Sequence, residues 1–599
     1  VQKKKSSSIV WKTNNARLVF VWLLLAVGLT SLGVRLFYLQ VVTGGKLKAL
    51  ARERQTMQIR PFVPRRPIVD RRGELLAIDR PSHTLYAHPR NFRNSKQSVS
   101  IENVARELAP ILERPFGDIL AELKKKDTGV QLARGLSKEA RDRIAALKND
   151  GLELIQATND FSRIYPQSEM AAEILGYIDT ERNAQAGVER SQTALLERQI
   201  NFLTLGRTGS GGVFSEDVNI EQLRAEDLRL QLTIDLRLQQ AARQALQARV
   251  KQYNAKRGTV IVMDAEDGAI RALVVEPTFD PNHYTTYPIE RFKNWAISDL
   301  YEPGSTFKPI NVAIALENGK IDPQTRLDDS GGVTIGSHTI RNADKRGHGT
   351  LTPAQVLQYS SNVGMVKMMQ KLEPQVYYDW LGKLELGQRT GIDLPAETRS
   401  YIKDRSQFVN SAIEPATASF GQGLSLTPLQ LVTLSASLAN GGKLVTPHVV
   451  AGLYDARGVR RDRPIRPTPR QVFSFKTAET VLSMMQTVVR TGGTGTAAAI
   501  PGYEIGGKTG TAQKVTTRGT YDPNAKIVSF VGILPVDRQH RYVVFAAVDE
   551  PKGIAFGGTV AAPIVREVMS AAIAIEAIAP SLDCPPATPT TPAKCQPKP

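Results

Sequence analysis

Glu302-Pro303-Gly304-Ser305-Thr306-Phe307-Lys308-Pro309, continued by Ile310-Asn311-Val312-Ala313-Ile314-Ala315, decides how the whole chain is read. Glu302-Pro303-Gly304 is a turn signal. Beyond it Ile310, Ala313, Ile314 and Glu317 recur at helical spacing, which predicts a helix starting at about Ser305. Pro309 fits such a start, because the first helical turn has few intrahelical hydrogen bonds to break. On that helix Ser305 and Lys308, three residues apart, project from one face. A serine hydroxyl is a poor nucleophile at neutral pH and needs a base beside it. Lys308 is a base only when neutral, and burial or a nearby cation such as Lys508 would lower its pKa. A nucleophile at a helix start also gains from the positive end of the helix dipole.

Two more short motifs follow in order, Ser360-Ser361-Asn362 and Lys508-Thr509-Gly510-Thr511. None is specific alone, since lone serines and lysines are mostly solvated surface and a Gly-Thr stretch is usually a turn. The ordered series Ser-x-x-Lys, Ser-x-Asn, Lys-Thr-Gly resembles the signature of penicillin-binding proteins and serine β-lactamases. The resemblance implies an acyl-enzyme reaction on a D-alanyl peptide, with Ser305 as the nucleophile and Lys308 as its base. In such a site Ser360 passes a proton to the leaving amine, and Asn362 holds Lys308 and an amide of the donor peptide. Lys508 supports Ser360 and attracts the substrate's terminal carboxylate. Thr509 and Thr511 offer hydroxyls to that carboxylate, and Gly510 lets the strand backbone approach the substrate closely. The same resemblance places the oxyanion hole at the backbone N–H groups of Ser305 and Thr511.

A rival pattern overlaps the third motif. Gly502 to Thr509 fits the phosphate-binding series G-x-x-x-x-G-K-[ST], and Val543 to Glu550 imitates a magnesium-binding strand. A phosphate loop follows a strand and opens a helix. Here the preceding stretch, Thr477 to Val489, predicts a helix, and Thr509 to Val515 predicts a strand. The context speaks against nucleotide binding.

The chain of 599 residues is long enough for two to four domains, and its 41% hydrophobic content is that of a globular protein. Its net charge of +19 is uneven. Residues 1–60 hold eleven basic side chains and one acid, Glu53. Leu18 to Val34 is a 17-residue run without a charge, roughly 25 Å as a helix. Arg35 can snorkel, and Leu36 to Val42 extends the apolar stretch. Lys3, Lys4, Lys5, Lys12 and Arg17 ahead of it predict a cytoplasmic N-terminus and an uncleaved signal anchor. The remaining basic surplus favours an anionic polymer such as wall glycan; no nucleic-acid-binding motif accompanies it, and no nucleic-acid partner is expected. The two cysteines, Cys584 and Cys595, lie in a Pro/Thr/Ala tail that cannot build a core. No metal site or cofactor is expected, and no G-x-S-x-G elbow is present.

Outward from the motifs, Leu228 to Asp235 alternates like a strand and Leu236 to Tyr253 predicts a long helix. Gly258 to Asp264 and Ala269 to Val275 predict a hairpin turning at Asp267-Gly268. Further strands are expected at Ile505–Lys514, Ile527–Leu534 and Tyr542–Asp549, with a closing helix from Pro563 to Ala579. Upstream, Ile101 to Lys126 and Lys138 to Lys148 predict amphipathic helices of a small α+β lobe. Arg66 to Ala77 (Arg-Pro-Ile-Val-Asp-Arg-Arg-Gly-Glu-Leu-Leu-Ala), Arg163 to Pro166 and Gly187 to Glu189 resemble boxes of class B penicillin-binding proteins, with Pro67 in place of a usual glycine. Arg163 and Glu189 are expected as a buried ion pair.

These resemblances cover the chain from the anchor to about residue 579. They imply a multidomain α/β protein: a cytoplasmic tail (1–17), a transmembrane signal anchor (18–42), an α+β pedestal (43–227), a transpeptidase domain with an antiparallel sheet flanked by helices (228–579), and a disordered tail (580–599). The implied activity is a serine-type peptidoglycan D,D-transpeptidase of the inner membrane, with its catalytic domain outside the cytoplasm. Glu302-Pro303-Gly304-Ser305-Thr306 looks more like the division-specific member than the elongation-specific one. A β-lactam-sensing receptor or hydrolase of the same fold is the other alternative. Implied partners are stem peptides on lipid-linked precursor strands, β-lactams, and a multi-span glycan polymerase with other division proteins in the membrane. Gly28, Ser31 and Gly33 form a small-residue patch where a second helix could approach.

Overall fold

The computed structural model describes residues 15–48, 56–59, 64–94, 97–155, 161–198, 203–207, 213–214, 227–515, 520–537, 540–583 and 596–597. The first fourteen residues, most of the C-terminal tail and both cysteines lie outside the described residues. The chain divides into two units, one of residues 1–63 and 199–226 and one of residues 64–198 and 227–599.

The first unit carries the apolar helix Asn15–Phe37, continued by a wider turn over Tyr38–Val42. Its side chains from Leu18 to Val42 are exposed. An exposed apolar helix of this length is one that a bilayer, not a protein core, would cover. A three-stranded sheet of Thr56–Ile59, Leu203–Arg207 and Val213–Phe214 completes this unit.

The second unit is built on a five-stranded antiparallel sheet. In chain order its elements are helix α1 (Leu236–Gln252), strands β1 (Arg257–Asp264) and β2 (Ile270–Glu276), and helices α2 (Lys308–Glu317), α3 (Asn362–Met369), α4 (Pro428–Ala439) and α5 (Phe475–Val489). Strands β3 (Gly506–Val515), β4 (Tyr521–Leu534) and β5 (Tyr542–Asp549) follow, then helix α6 (Ala562–Ile575). The strand order is β2-β1-β5-β4-β3, which leaves β3 at an edge. The strands read as near-continuous apolar runs because both faces are covered. Ile261, Met263, Val531, Val543 and Phe545 point to one core with α2, α4 and α5. Val260, Val262, Val528, Val544 and Ala546 point to the other, with α1 and α6. The two-residue period of a strand sorts neighbours to opposite faces. Gly268 turns the β1–β2 hairpin at φ +82°, as its Asp-Gly pair predicted. Helix α4 is buried along its whole length and is started by a capping box, Thr427 with Gln430, ahead of Pro428.

Beside this domain a six-stranded mixed sheet runs in the order Arg460–Asp462, Val450–Tyr454, Arg229–Leu232, Ile68–Val69, Leu75–Pro81, Phe161–Ile164. Ile68–Val69 pairs in parallel with Arg229–Leu232, so residues from before and after position 228 share one sheet. The expected ion pair is present: Arg163 Nε donates to Glu189 at 2.6 Å, and both side chains are buried. Beyond it lies the expected α+β lobe, with its own apolar core around Leu85, Val104, Leu108 and Ile119. Its strands are His83–Ala87, Val130–Leu136 and Leu152–Ile155. One expectation is corrected. Ile101 to Lys126 is not one helix but two, Ile101–Leu112 and Phe116–Leu123. Glu113 closes the first in the left-handed region at φ +53°. Pro115 then disfavours helical backbone at Arg114 and starts the second.

Candidate active site

Ser305 lies in a 3₁₀ turn, Gly304–Phe307, that runs straight into α2. Lys308 is the first residue of α2 and Pro309 the second, where a missing N–H costs nothing. The turn is held from outside. Gly304 N–H donates to Gly421 O at 2.9 Å. Gly421 has φ +79°, and a Cβ there would stand 2.2 Å from Gly304 O. That close approach is why the distant Phe420-Gly421-Gln422-Gly423 stretch needs its glycine.

Ser360 precedes α3. Ser361 caps that helix, its Oγ accepting Gly364 N–H at 2.8 Å, and Asn362 is its first residue. Ser360 itself has φ +56°, an uncommon conformation for a residue with a side chain. Lys508 and Thr509 sit in the middle of the edge strand β3, opposite Val531 and Phe530 of β4.

The three motifs meet through two lysines, both fully buried. Lys308 Nζ donates to Ser360 O at 2.6 Å and Asn362 Oδ1 at 2.8 Å, and stands 3.3 Å from Ser360 Oγ. Lys508 Nζ donates to Ser360 Oγ at 2.9 Å, to Thr509 O at 3.1 Å and to Thr509 Oγ1 at 3.3 Å. Burial, and secondarily the charge of Lys508, holds the Lys308 amine well below the usual lysine range. Burial alone pushes Lys508 down to about 7. Both shifts favour the neutral amine. A neutral amine has two N–H donors and one lone pair. In Lys308 the two carbonyl oxygens take the donors, which leaves the lone pair for an incoming proton.

Ser305 is half-buried and its hydroxyl makes no hydrogen bond among the described residues. Thr511 is exposed on β3, and Thr509 Oγ1 lies 3.0 Å from Thr494 Oγ1. At Gly510 a Cβ would meet Ser529 Oγ at 2.4 Å and Thr306 Cγ2 at 2.8 Å. The glycine makes room for the turn that carries Ser305 to pack against β3. The phosphate-loop pattern at Gly502–Thr509 is not a phosphate loop. Lys508 is mid-strand, its amine is tied to Ser360, and the strand continues to Val515 with no helix opening there.

Sequence reasoning missed Asn342, Asp329 and Thr494. Asn342 Oδ1 accepts the Asn362 N–H at 2.8 Å, and its Nδ2 donates to Asp329 at 2.8 and 2.9 Å. Nothing marks Asn342 in a polar loop between Arg341 and Asp344. Thr494, likewise, lies in a Gly/Thr-rich turn with no pattern of its own.

A sheet covered by helices on both faces, with three motifs converging on one serine-lysine turn, defines a penicillin-recognising serine transferase fold. The chain belongs to the penicillin-binding protein family, class B: the Penicillin binding protein transpeptidase domain matches residues 258–570, and the Penicillin-binding Protein dimerisation domain matches residues 62–202. It is 39% identical to a peptidoglycan D,D-transpeptidase FtsI homolog of Mesostigma viride, over 95% of this chain and 97% of that one. It is 36% identical to the FtsI homolog of Chlorokybus atmophyticus, over 94% and 97% of the two chains. Among solved structures it resembles penicillin binding protein 3 from Mycobacterium tuberculosis, with a TM-score of 0.64 at 26% identity, covering 88% of this chain and 98% of that one.

Proposed function

We propose that this protein is a peptidoglycan D,D-transpeptidase that crosslinks stem peptides through an acyl-enzyme on Ser305, in septal wall synthesis. The observation that carries the reading is the amine of Lys308, buried, depressed in pKa and with both of its N–H donors engaged by carbonyl oxygens. The similarity to peptidoglycan D,D-transpeptidase FtsI homologs supports the reaction and the septal role.

Ser305 Oγ attacks the carbonyl carbon of the penultimate D-alanine, and its proton passes to the Lys308 lone pair. Ser360, within reach of both lysines, relays a proton to the leaving amine, and the terminal D-alanine departs. The amine of a second stem peptide then attacks the ester, its proton leaves by the same groups, and Ser305 is regenerated. The N–H groups of Ser305 and Thr511 stabilise the oxyanion. Lys508, Thr509 and Thr511 receive the substrate carboxylate, and Asn362 the donor amide. A β-lactam enters by the same first step and leaves its opened ring as an ester on Ser305. Mass spectrometry after penicillin treatment should place the adduct on the peptide containing Ser305; an adduct on Ser360 overturns the assignment.

The exposed apolar helix is a single-pass anchor in this reading. The N-terminus is cytoplasmic, the catalytic domain lies outside, and the helix contacts a multi-span glycan polymerase in the membrane. Replacing Leu18–Val42 by an unrelated apolar span should preserve anchoring and penicillin binding yet impair wall crosslinking in cells. Division at the original rate after the swap would reduce the segment to a tether.

A further inference from the structure

The stretch between the first two motifs contains a buried acid that the reaction above does not use. Asp329 ends the strand Leu327–Asp329, has no solvent exposure and forms no ion pair among the described residues. Its carboxylate meets neutral donors only. Asn342 Nδ2 donates to both oxygens at 2.8 and 2.9 Å, and Gly331 N–H donates at 3.0 Å. Burying a carboxylate without a counter-ion is costly, and a well-packed apolar residue would avoid that cost.

The carboxylate fixes which way the Asn342 amide points. With its nitrogen on Asp329 and Arg346 O, its oxygen faces the start of α3. There it accepts from Asn362 N–H at 2.8 Å, Val363 N–H at 3.2 Å and Ser361 Oγ at 3.3 Å. The neighbouring Arg341 O accepts from Asn362 Nδ2 at 3.0 Å. Asn362 Oδ1 is thereby aimed at Lys308 Nζ, 2.8 Å away. An unbroken chain of hydrogen bonds runs from Asp329 through Asn342 and Asn362 to Lys308. It also holds the segment in which Ser360 sits at φ +56°, a conformation that persists only where its surroundings impose it.

We infer that Asp329 and Asn342 are positioning residues for acyl transfer: Asn342 seats Ser360 and Asn362 against Lys308, and Asp329 orients Asn342 while setting a negative charge toward the amine. The inference rests on Lys308 being the base. The charged groups that face Lys308 are Lys508 from β3, which favours loss of its proton, and Asp329, which opposes it. Around Asn342 the side chains of Arg341, Asp344, Lys345 and Arg346 are exposed, and His348 is half-buried against Asp344 at 3.1 Å. Lys367 of α3 and Glu317 of α2 lie toward the far ends of their helices. Asp329 is therefore placed to oppose the effect of Lys508.

The experiment uses the full chain in detergent, a fluorescent penicillin, and acylation rates measured from about pH 5 to 10, the span in which a tuned general base titrates. Asp329→Asn should lower the plateau rate about 10- to 100-fold, as misplacement of a catalytic group does. It should also move the acid limb to lower pH, because Lys308 loses the charge that retains its proton. Asn342→Ala keeps that charge, so it should cost a similar factor with the limb unmoved. Asp329→Glu, which restores the charge, should return the limb toward its original place. Wild-type rates in both loss variants, or a lowered rate in Asp329→Asn with an unshifted limb, overturn the inference. So does the absence of a melting transition in both variants, which marks the pair as merely structural. If the wild type carries no adduct on Ser305, the transpeptidase reading itself falls and takes the inference with it.

Discussion

Two parts of this molecule bury charge, and they do it in opposite ways. In the pedestal Arg163 lies between Glu189 at 2.6 Å and Asp79 at 3.2 Å, with Arg65 and Arg182 closing the network at 3.2 and 2.6 Å. Every charge in that network meets its opposite. At the active site two buried lysines share one serine, meet only neutral acceptors, and bear the same sign. Desolvation disfavours each cation, and repulsion disfavours the pair. The pedestal network holds its charges charged. Burial pushes both site lysines below the usual lysine range, Lys508 to about 7, the direction that the proposed general-base and carboxylate-binding roles require. Burial alone does not separate structural from functional charge; the partners do.

The comparison breaks most visibly at Lys308. Lys308→Ala should leave the fold intact and slow acylation by about 10²- to 10⁴-fold, read by stopped-flow with a chromogenic β-lactam. A variant within a few-fold of wild type would refute the base. Arg163→Met should do the reverse. It strands Glu189 and Asp79 without their main cation, so it should destabilise by about 3–5 kcal/mol, while whatever folds still acylates at the normal rate. Urea midpoints together with acylation rates separate the two outcomes. Lys508→Met should weaken acylation by every β-lactam that carries a carboxylate, by about tenfold or more, the scale of one charge-assisted contact. A rate loss that ignores the carboxylate would count against its role.

The smallest effect concerns pH and stability. Lys508 titrates at about 7 in the folded chain and near 10.4 when unfolded. Between those values the unfolded state binds more protons, so stability rises with pH through that window. In Lys508→Met this part of the rise disappears. Melting temperatures from about pH 7 to 10 for the two proteins test it; parallel curves would mean that the lysine is not desolvated as described.

Much of this arrangement was legible in the chain. The strands of the central sheet announce themselves because apolar runs such as Val543 to Val548 serve two cores at once. The turn before Ser305 shows in Glu302-Pro303-Gly304. The Arg163–Glu189 pair could be named because few buried arginines go unpartnered. Other features depend on residues that meet only in the fold. Asn342 is an ordinary loop asparagine until Asp329 turns its amide toward Asn362. Ser360 occupies a left-handed backbone position without being glycine, so local propensity argues against the conformation it has. At Gly510 the sequence shows only a glycine in a strand; that a Cβ there would meet Ser529 and Thr306 depends on the fold. The break in the lobe helix was available in Arg114-Pro115, and helical periodicity on both sides concealed it.

The strand order β2-β1-β5-β4-β3 also has a consequence in time. β5 is made last yet lies in the middle, pairing Arg257–Asp264 on one side and Ile527–Leu534 on the other. Between β1 and β5 the ribosome adds roughly 280 residues, which at about 5–20 residues per second takes some ~15–55 s. Throughout that interval the edge of β1 that β5 will cover stays open, a template for pairing with the wrong chain. The sheet closes only when β5 arrives, because β3, against which the turn at Ser305 packs, is joined to β1 only through β4 and β5.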